Sequence, residues 1–264
     1  MHIVASGIRI HYTIEGAGPW LVMSHSLGCN LRMWDHEAQA LAGRFRVLRF
    51  DTRGHGDTDA PTAAYTLDQL ADDLHALLDA LGVGRCHFMG LSMGGMIAMT
   101  HALKYPDRFD RLLLCNTSSR VSADAAPIWR QRIETVRASG MEPIVQPTLS
   151  RWFTEPFRLA RPDVMATVAG MIRSTPSEGY IGCCHAIPKI DLTARLGAIG
   201  CPTLVIAGDQ DVGTPVEMAR AIQLGIPGAQ LAVLPRASHL SNLEHPEAFG
   251  RLVADFLGVH HPPR

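Results

Sequence analysis

The chain has 264 residues, a length that suits one large α/β domain with an insertion or two small domains. Hydrophobic residues make up 47% and charged residues 19%, so the chain can bury a sizeable core and is not of the disordered class. The formal net charge of -1, together with the lack of a basic cluster, argues against nucleic acid as a partner.

Apolar runs of strand length recur along the chain and alternate with helical patterns. The strand-like runs are 8–14, 20–23, 45–50, 86–89, 112–115, 203–207 and 231–234. Helical patterns occur at 33–41, at 65–81 with Thr66 as the predicted N-cap, from Gly95 onward and at 246–257. The last residues, 260–264, are expected to form a loose tail. Strands that alternate with helices predict a mostly parallel sheet with helices on both faces.

The segment from 120 to 200 has a different character. Its apolar residues recur at helical intervals, and no strand pattern interrupts them. It is therefore predicted to be a helical cap inserted before the last two strands. The core domain would then consist of residues 1–119 and 201–264.

A serine stands at the apex of a predicted strand–turn–helix unit, in Gly90-Leu91-Ser92-Met93-Gly94. The turn requires glycines, because a side chain on either flank would collide with the strand or the helix. A serine there is expected to have a strained backbone that exposes its hydroxyl. The N–H of Met93 would point into the same space from the positive end of a helix.

A serine hydroxyl needs a base, and the base needs an acid that fixes its tautomer. In a parallel sheet these groups lie on loops at the carboxyl ends of strands. Ala237-Ser238-His239 follows the last predicted strand and supplies His239 as the base. Gly208-Asp209-Gln210-Asp211 follows the strand before it, and the position leaves both Asp209 and Asp211 open as the acid. The chain order Ser, Asp, His is the order of nucleophile-elbow hydrolases.

These motifs resemble those of α/β-hydrolases over nearly the whole chain. The matching segments are His25-Ser26-Leu27-Gly28, Asp51-Thr52-Arg53-Gly54-His55-Gly56, the Ser92 turn, Gly208-Asp209-Gln210-Asp211 and Ser238-His239. Within that superfamily the chain is most similar to 3-oxoadipate enol-lactonases. The narrower resemblance rests on Ser26-Leu27-Gly28, Arg32-Met33-Trp34-Asp35, Gly90–Met96 and Gly179–Ile187.

The resemblance implies a role for each matching residue. Ser92 would be the nucleophile, His239 the base and Asp211 the acid, since the family places the acid three residues after the loop glycine. The backbone N–H groups of Leu27 and Met93 would form the oxyanion hole. His25 and His55 are expected to hydrogen-bond loop backbone, and no cofactor or metal is implied.

The implied substrate is 3-oxoadipate enol-lactone, a small ring with an acetate arm, which is opened to 3-oxoadipate in aromatic degradation by the β-ketoadipate pathway. A buried carboxylate needs a cation or several donors. The cap should supply them, and the candidates are Trp129, Arg132, Arg151, Trp152 and Arg173. For any one arginine, a solvated place on a helix face is the alternative.

Other hydrolases on the same fold are rival interpretations: a general carboxylesterase, a cofactor-free perhydrolase or a carbon–carbon hydrolase. A haloalkane dehalogenase is disfavoured because it needs a carboxylate where this chain has Ser92. A non-catalytic ligand-binding protein is the rival from another class, and the intact Ser92, Asp211 and His239 argue against it.

The sequence carries weaker signals for cellular location and oligomeric state than for the fold and the active site. The six cysteines include no CxxC pair, which favours buried free thiols in a reducing compartment. The chain shows no secretory signal, and no apolar run approaches the ~18 residues of a membrane span. A cytoplasmic protein without a membrane partner is expected. No feature selects between a monomer and a homo-oligomer.

Overall fold

An eight-stranded sheet forms the centre of the computed structural model, which describes residues 1–259. The strands are β1 (His2–Ala5), β2 (Ile8–Glu15), β3 (Trp20–Ser24), β4 (Arg46–Phe50), β5 (Cys86–Leu91), β6 (Phe109–Cys115), β7 (Thr203–Gly208) and β8 (Gln230–Leu234). They lie in the order β1-β2-β4-β3-β5-β6-β7-β8. β1, β2 and β4 pair antiparallel, and all pairs from β4 to β8 are parallel. The predicted tail at 260–264 lies outside the described residues.

Helices cover the sheet. They are α1 (Asp35–Leu41), α2 (Leu67–Ala80), α3 (Met93–Lys104), α4 (Ala126–Ser139), α5 (Glu142–Trp152), α6 (Glu155–Ala160), α7 (Pro162–Ser174), α8 (Ser177–Ala186), α9 (Val216–Gly225), α10 (Ser241–Glu244) and α11 (Pro246–Leu257). The predicted N-cap at Thr66 is confirmed, since its side chain accepts a hydrogen bond from the N–H of Gln69. Over residues 1–259, no helix combines the length and the apolar character needed to cross a membrane.

The central strands are apolar because both of their faces are covered. Every residue of β7 is buried, and Leu21, Val22 and Met23 of β3 are fully inaccessible to solvent. Such continuous burial is typical of parallel strands between two helix layers. The predicted fold class, a mostly parallel sheet flanked by helices, is therefore confirmed.

Helices α4 to α8 lie between β6 and β7, as predicted for an insertion before the last two strands. We call segment 120–200 the cap, with the bounds that the sequence proposes. Within it, α4 packs on α8 and α5 packs on α7. The cap therefore has its own apolar contacts, which include the buried Ile133, Val136, Ile144 and Ile172.

The parallel strands bring their carboxyl ends to one edge of the sheet. β3 ends at Ser24, β5 at Leu91, β7 at Gly208 and β8 at Leu234. The loops and turns that carry the predicted catalytic residues begin at these ends, so four distant parts of the chain meet at one edge.

Candidate active site

Ser92 occupies the sharp turn between β5 and α3. Its backbone has φ 57° and ψ -114°, a conformation that non-glycine residues rarely adopt. The turn is held from both sides, because the N–H of Ser92 donates to the carbonyl oxygen of Cys115 at 2.9 Å and the Thr117 hydroxyl donates to the Ser92 carbonyl at 2.7 Å. Surrounding hydrogen bonds of this kind can maintain a strained residue.

Glycine is required on the helical side of this turn. A Cβ on Gly94 would lie 2.3 Å from the carbonyl oxygen of Ser24 in β3. We expect Gly94→Ala to destabilise the fold by about 3 kcal/mol, because the obstructing atom belongs to the backbone of a central strand. Denaturant unfolding would measure the change. Gly170→Ala in α7 is the control: its Cβ would meet nothing within 4 Å, and a stabilisation of about 0.5–1 kcal/mol is expected. Equal stabilities of the two variants would contradict the proposed close approach.

His239 and Asp211 form a buried pair. The His239 Nδ1 lies 2.7 Å from Asp211 Oδ2, and both residues are almost inaccessible to solvent. A carboxylate acceptor assigns the proton to Nδ1 and leaves Nε2 as the basic nitrogen. Burial alone would raise the pKa of Asp211, but the electrostatic interaction with His239 and hydrogen bonds from His239 and Thr214 outweigh it and lower that pKa to about 2. Asp211 is therefore ionised at neutral pH.

Asp211 accepts hydrogen bonds on both oxygens. Oδ1 receives the N–H groups of Gly213 at 2.8 Å and Thr214 at 3.0 Å, and Oδ2 receives the Thr214 hydroxyl at 2.6 Å. Asp209, the other candidate on this loop, is exposed. The packing around Asp211 supports its proposal as the acid.

The structure adds Asn116, which the sequence analysis did not single out. Its amide nitrogen donates to Asp211 Oδ2 and to the Ser238 carbonyl, both at 3.1 Å. The hydroxyl of Ser241 donates to the amide oxygen of Asn116 at 2.6 Å and so fixes the orientation of the amide. The sequence signal that could have identified Asn116 is its place as a polar residue directly after a buried strand, β6.

Hydrogen bonds and a ring stack connect the cap to the loop that carries His239. The carbonyl oxygen of Trp152 accepts the N–H groups of His239 at 3.1 Å and Leu240 at 3.2 Å. The Trp152 ring also stacks on the imidazole, with ring centroids 5.8 Å apart. The Ser238 hydroxyl donates to the Arg151 carbonyl at 3.1 Å. The end of α5 therefore helps to set the position of the imidazole.

A cavity of about 320 Å³ lies between the sheet edge and the cap. Its lining includes Ser92, His239 and Leu27 from the core. It also includes four of the five predicted substrate-binding residues, namely Trp129, Arg132, Arg151 and Trp152. Met93 begins α3 and is buried but does not line the cavity. The helix leaves the Met93 N–H without an intrahelical partner, as at every helix N-terminus.

Arg173 is the substrate-binding candidate that the structure does not bring to the cavity. Its side chain is exposed on α7 and forms a two-pronged ion pair with Glu142, at 2.6 and 2.9 Å. Cap packing turns this face of α7 to solvent, and we therefore remove Arg173 from the candidate site.

The cavity wall carries positive charge. Arg132 and Arg151 line it, and among residues 1–259 no Asp or Glu does. Within residues 1–259 neither guanidinium takes part in a salt bridge, and that of Arg132 lies 4.6 Å from the centre of the Trp129 ring. Burial, followed by the charge of Arg132, lowers the pKa of Arg151 to about 10. Arg151 is therefore a cation at neutral pH.

No group of three or more His, Cys, Asp or Glu side chains in the described part of the chain is arranged to hold a metal ion. The six cysteines are free thiols as predicted, with Cys201 partly exposed and the others buried.

Comparison with known proteins gives matches over most of the chain. The alpha/beta hydrolase fold family matches residues 19–246. 3-Oxoadipate enol-lactonase 2 from Acinetobacter baylyi is 36% identical over 95% of this chain and 94% of its own length. The crystal structure of the enol-lactonase from Burkholderia xenovorans LB400 is 38% identical with a TM-score of 0.94, over 98% of this chain and 100% of that one. A protein named as a carbamate hydrolase, RutD, from Agrobacterium fabrum is 30% identical over 94% of this chain and 97% of its own length.

Proposed function

This chain belongs to the α/β-hydrolase family, and from that premise we propose that it is a serine hydrolase that opens a small carboxylate-bearing enol-lactone, 3-oxoadipate enol-lactone. The observation that carries the choice of substrate is the pair Arg132 and Arg151, which face the same cavity as Ser92 without a carboxylate in its lining. The similar proteins named as enol-lactonases support the same choice.

Ring opening begins at Ser92. Its Oγ attacks the lactone carbonyl carbon while Nε2 of His239 takes the hydroxyl proton. The N–H groups of Leu27 and Met93 stabilise the oxyanion that forms. The tetrahedral intermediate collapses, the bond from carbon to ring oxygen breaks, and His239 gives its proton to the departing enol oxygen. The enol then relaxes to a ketone, which makes reversal unfavourable.

Water completes the reaction. His239 takes a proton from a water molecule, whose oxygen attacks the acyl carbon bound to Ser92. The second tetrahedral intermediate releases the Ser92 oxygen, which regains its proton from His239. Throughout, Asp211 accepts the hydrogen bond from the Nδ1–H of the imidazole and stabilises the charged form of the ring. The released product carries a new carboxylate in addition to that of the acetate arm.

The two arginines provide the anion site in this proposal. Stacking on Trp129 restricts the guanidinium of Arg132, so less rotamer freedom is lost when it binds a carboxylate. Arg151 is partly desolvated between α5 and the cavity, where an ion pair with a substrate is stronger than in bulk water. Cations with no protein carboxylate to neutralise them favour an anionic substrate.

Replacing the cavity arginines should weaken substrate binding. We expect Arg132→Ala and Arg151→Ala to raise KM for the enol-lactone about 10- to 100-fold, the effect of losing a charged hydrogen bond worth about 1.5–3 kcal/mol. Arg173→Ala is the matched control on the same cap, and its KM should not change because Arg173 pairs with Glu142. Steady-state kinetics on a neutral ester of similar size should show little effect in either cavity variant. Unchanged KM values in both would exclude the proposed anion site.

The function itself is tested with purified protein and the enol-lactone, by following the loss of absorbance of the conjugated ring. Parallel assays use N-carboxylated amines, neutral linear esters and peracid formation. A higher kcat/KM for the enol-lactone than for every other substrate is expected. A preference for the carbamates would instead assign the chain the activity for which the RutD protein is named.

A further inference from the structure

Two buried histidines hold the loop that follows β3. His25 is part of this loop, and His55 belongs to the loop after β4. Both side chains are fully inaccessible to solvent, and their ring centroids are 5.1 Å apart. Neither residue is among those that line the cavity, so neither contacts a substrate.

Hydrogen bonds fix the tautomer of His25. Its Nδ1 lies 2.8 Å from the carbonyl oxygen of Ser26, which can only accept, so Nδ1 carries the proton. Its Nε2 accepts from the backbone N–H of Thr52 at 2.9 Å and therefore carries none. Only the neutral imidazole can make both bonds. The histidine thereby connects the loop after β3 to the loop after β4.

His55 holds the next part of the same loop. Its Nε2 accepts from the backbone N–H of Gly28 at 3.0 Å, and its Nδ1 lies 3.3 Å from the carbonyl oxygen of Arg53. The ring is again neutral and again uses both nitrogens. Burial lowers the pKa of His25 to about 4, and burial together with the electrostatic effect of His25 lowers that of His55 to about 3. Both rings therefore keep the neutral form described above at neutral pH.

The bond from His25 to the Ser26 carbonyl and the bond from the Gly28 N–H to His55 lie on either side of Leu27. The carbonyl of Ser26 and the N–H of Leu27 belong to a single planar peptide group, so a donor that fixes the carbonyl also fixes the direction of the N–H. A donor to the carbonyl also polarises the peptide and strengthens the N–H as a donor. The N–H of Cys29 adds a second bond to the same carbonyl at 3.1 Å.

We propose that His25 and His55 are positioning residues that aim the Leu27 N–H at the oxyanion formed on Ser92. The proposal rests on the function proposed above only in requiring acyl transfer at Ser92, and it does not depend on which ester or lactone is the substrate. Oxyanion donors act when preorganised toward the charge of the transition state. Loss of either histidine bond should therefore reduce kcat and leave KM nearly unchanged.

The test replaces each histidine in turn by Asn and by Gln, whose side-chain amides each take the place of one ring nitrogen. The amide of Asn is placed like Nδ1 and that of Gln like Nε2. His25→Asn retains a donor to the Ser26 carbonyl, whereas His25→Gln retains only the acceptor for Thr52. We expect His25→Gln to lower kcat for 4-nitrophenyl acetate about 10²-fold, the effect of a misplaced catalytic group. His25→Asn should lose much less, and KM should stay within about twofold in both.

At His55 we expect the opposite ranking of the Asn and Gln variants, because there Nε2 accepts the hydrogen bond from the loop. His55→Gln keeps an acceptor for the Gly28 N–H and should retain most of kcat, and His55→Asn should not. His101→Gln is the control, because His101 is equally buried but neither ring nitrogen has a hydrogen-bond partner among residues 1–259. It should lower the unfolding midpoint without lowering kcat.

The reversed order of Asn and Gln at the two positions separates positioning from general destabilisation. If kcat follows the unfolding midpoint in all five variants, or if His25→Gln and His55→Asn keep the parent kcat, the positioning role is wrong even though Ser92 remains the nucleophile. If Ser92→Ala keeps its activity, the proposed function fails instead. Each position has its own pair of variants, so failure of one variant to fold leaves the other position to decide.

Discussion

Ser92→Ala is expected to fold like the parent chain and to lose at least about 10⁴-fold in kcat for esters and lactones. The substitution removes the Oγ that would form the acyl-enzyme in the proposed mechanism. It leaves the Cβ, so the steric strain in the backbone of the turn does not change. The hydrogen bonds that hold the turn use backbone atoms of Ser92 and remain: its N–H donates to the Cys115 carbonyl, and its own carbonyl accepts from the Thr117 hydroxyl. Steady-state kinetics and thermal unfolding measure the two parts of this expectation.

Labelling by a serine-directed fluorophosphonate provides the control. The parent chain should react stoichiometrically, and Ser92→Ala should not react. Residual turnover in the variant within about tenfold of the parent would remove Ser92 from the role of nucleophile. A parent chain that does not react would favour the non-catalytic ligand-binding protein.

The central sheet could be predicted because burial on both faces leaves a strong signal. The runs that became β3, β5, β6 and β7 are predominantly apolar, and their positions were predicted within a few residues. β1 was missed because it is a four-residue edge strand on the outside of the sheet, where Val4 is exposed. A short strand paired on one side has little hydrophobic pattern to detect.

The proposed catalytic residues could be placed by chain order, but the groups around them could not. Ser241 and Asn116 are 125 residues apart and meet only after β6, β7 and β8 have assembled, with β7 between the other two strands. No local pattern predicts such a contact. The same limit explains the arginines of the cap: sequence shows that they lie on helices, but packing of α4, α5 and α7 decides which faces point inward. Arg151 lines the cavity and Arg173 does not.

Asp211, the proposed acid, is open to the same kind of test as Ser92, the proposed nucleophile. We expect Asp211→Asn to lower kcat about 10⁴-fold, because an amide in this position can stabilise the wrong tautomer of His239 and cannot stabilise its charged form. KM should change little, since Asp211 does not line the cavity. A stability loss of about 1–3 kcal/mol should accompany it, because donors from Gly213, Thr214 and Asn116 would face an amide that accepts on one atom only.

Asp209→Asn is the matched control, two residues away on the same loop. Its side chain is exposed and forms no hydrogen bond or ion pair with another residue in the range 1–259, so kcat and the unfolding midpoint should both equal those of the parent. Comparable losses in the two variants would mean that the loop tolerates no substitution and that acidity is not the cause. A loss confined to Asp209→Asn would move the acid to that position and contradict the buried pair of Asp211 and His239. The expected outcome, a large loss in kcat at Asp211 alone, follows because, of these two carboxylates, Asp211 is the one that is buried and within hydrogen-bond distance of the imidazole.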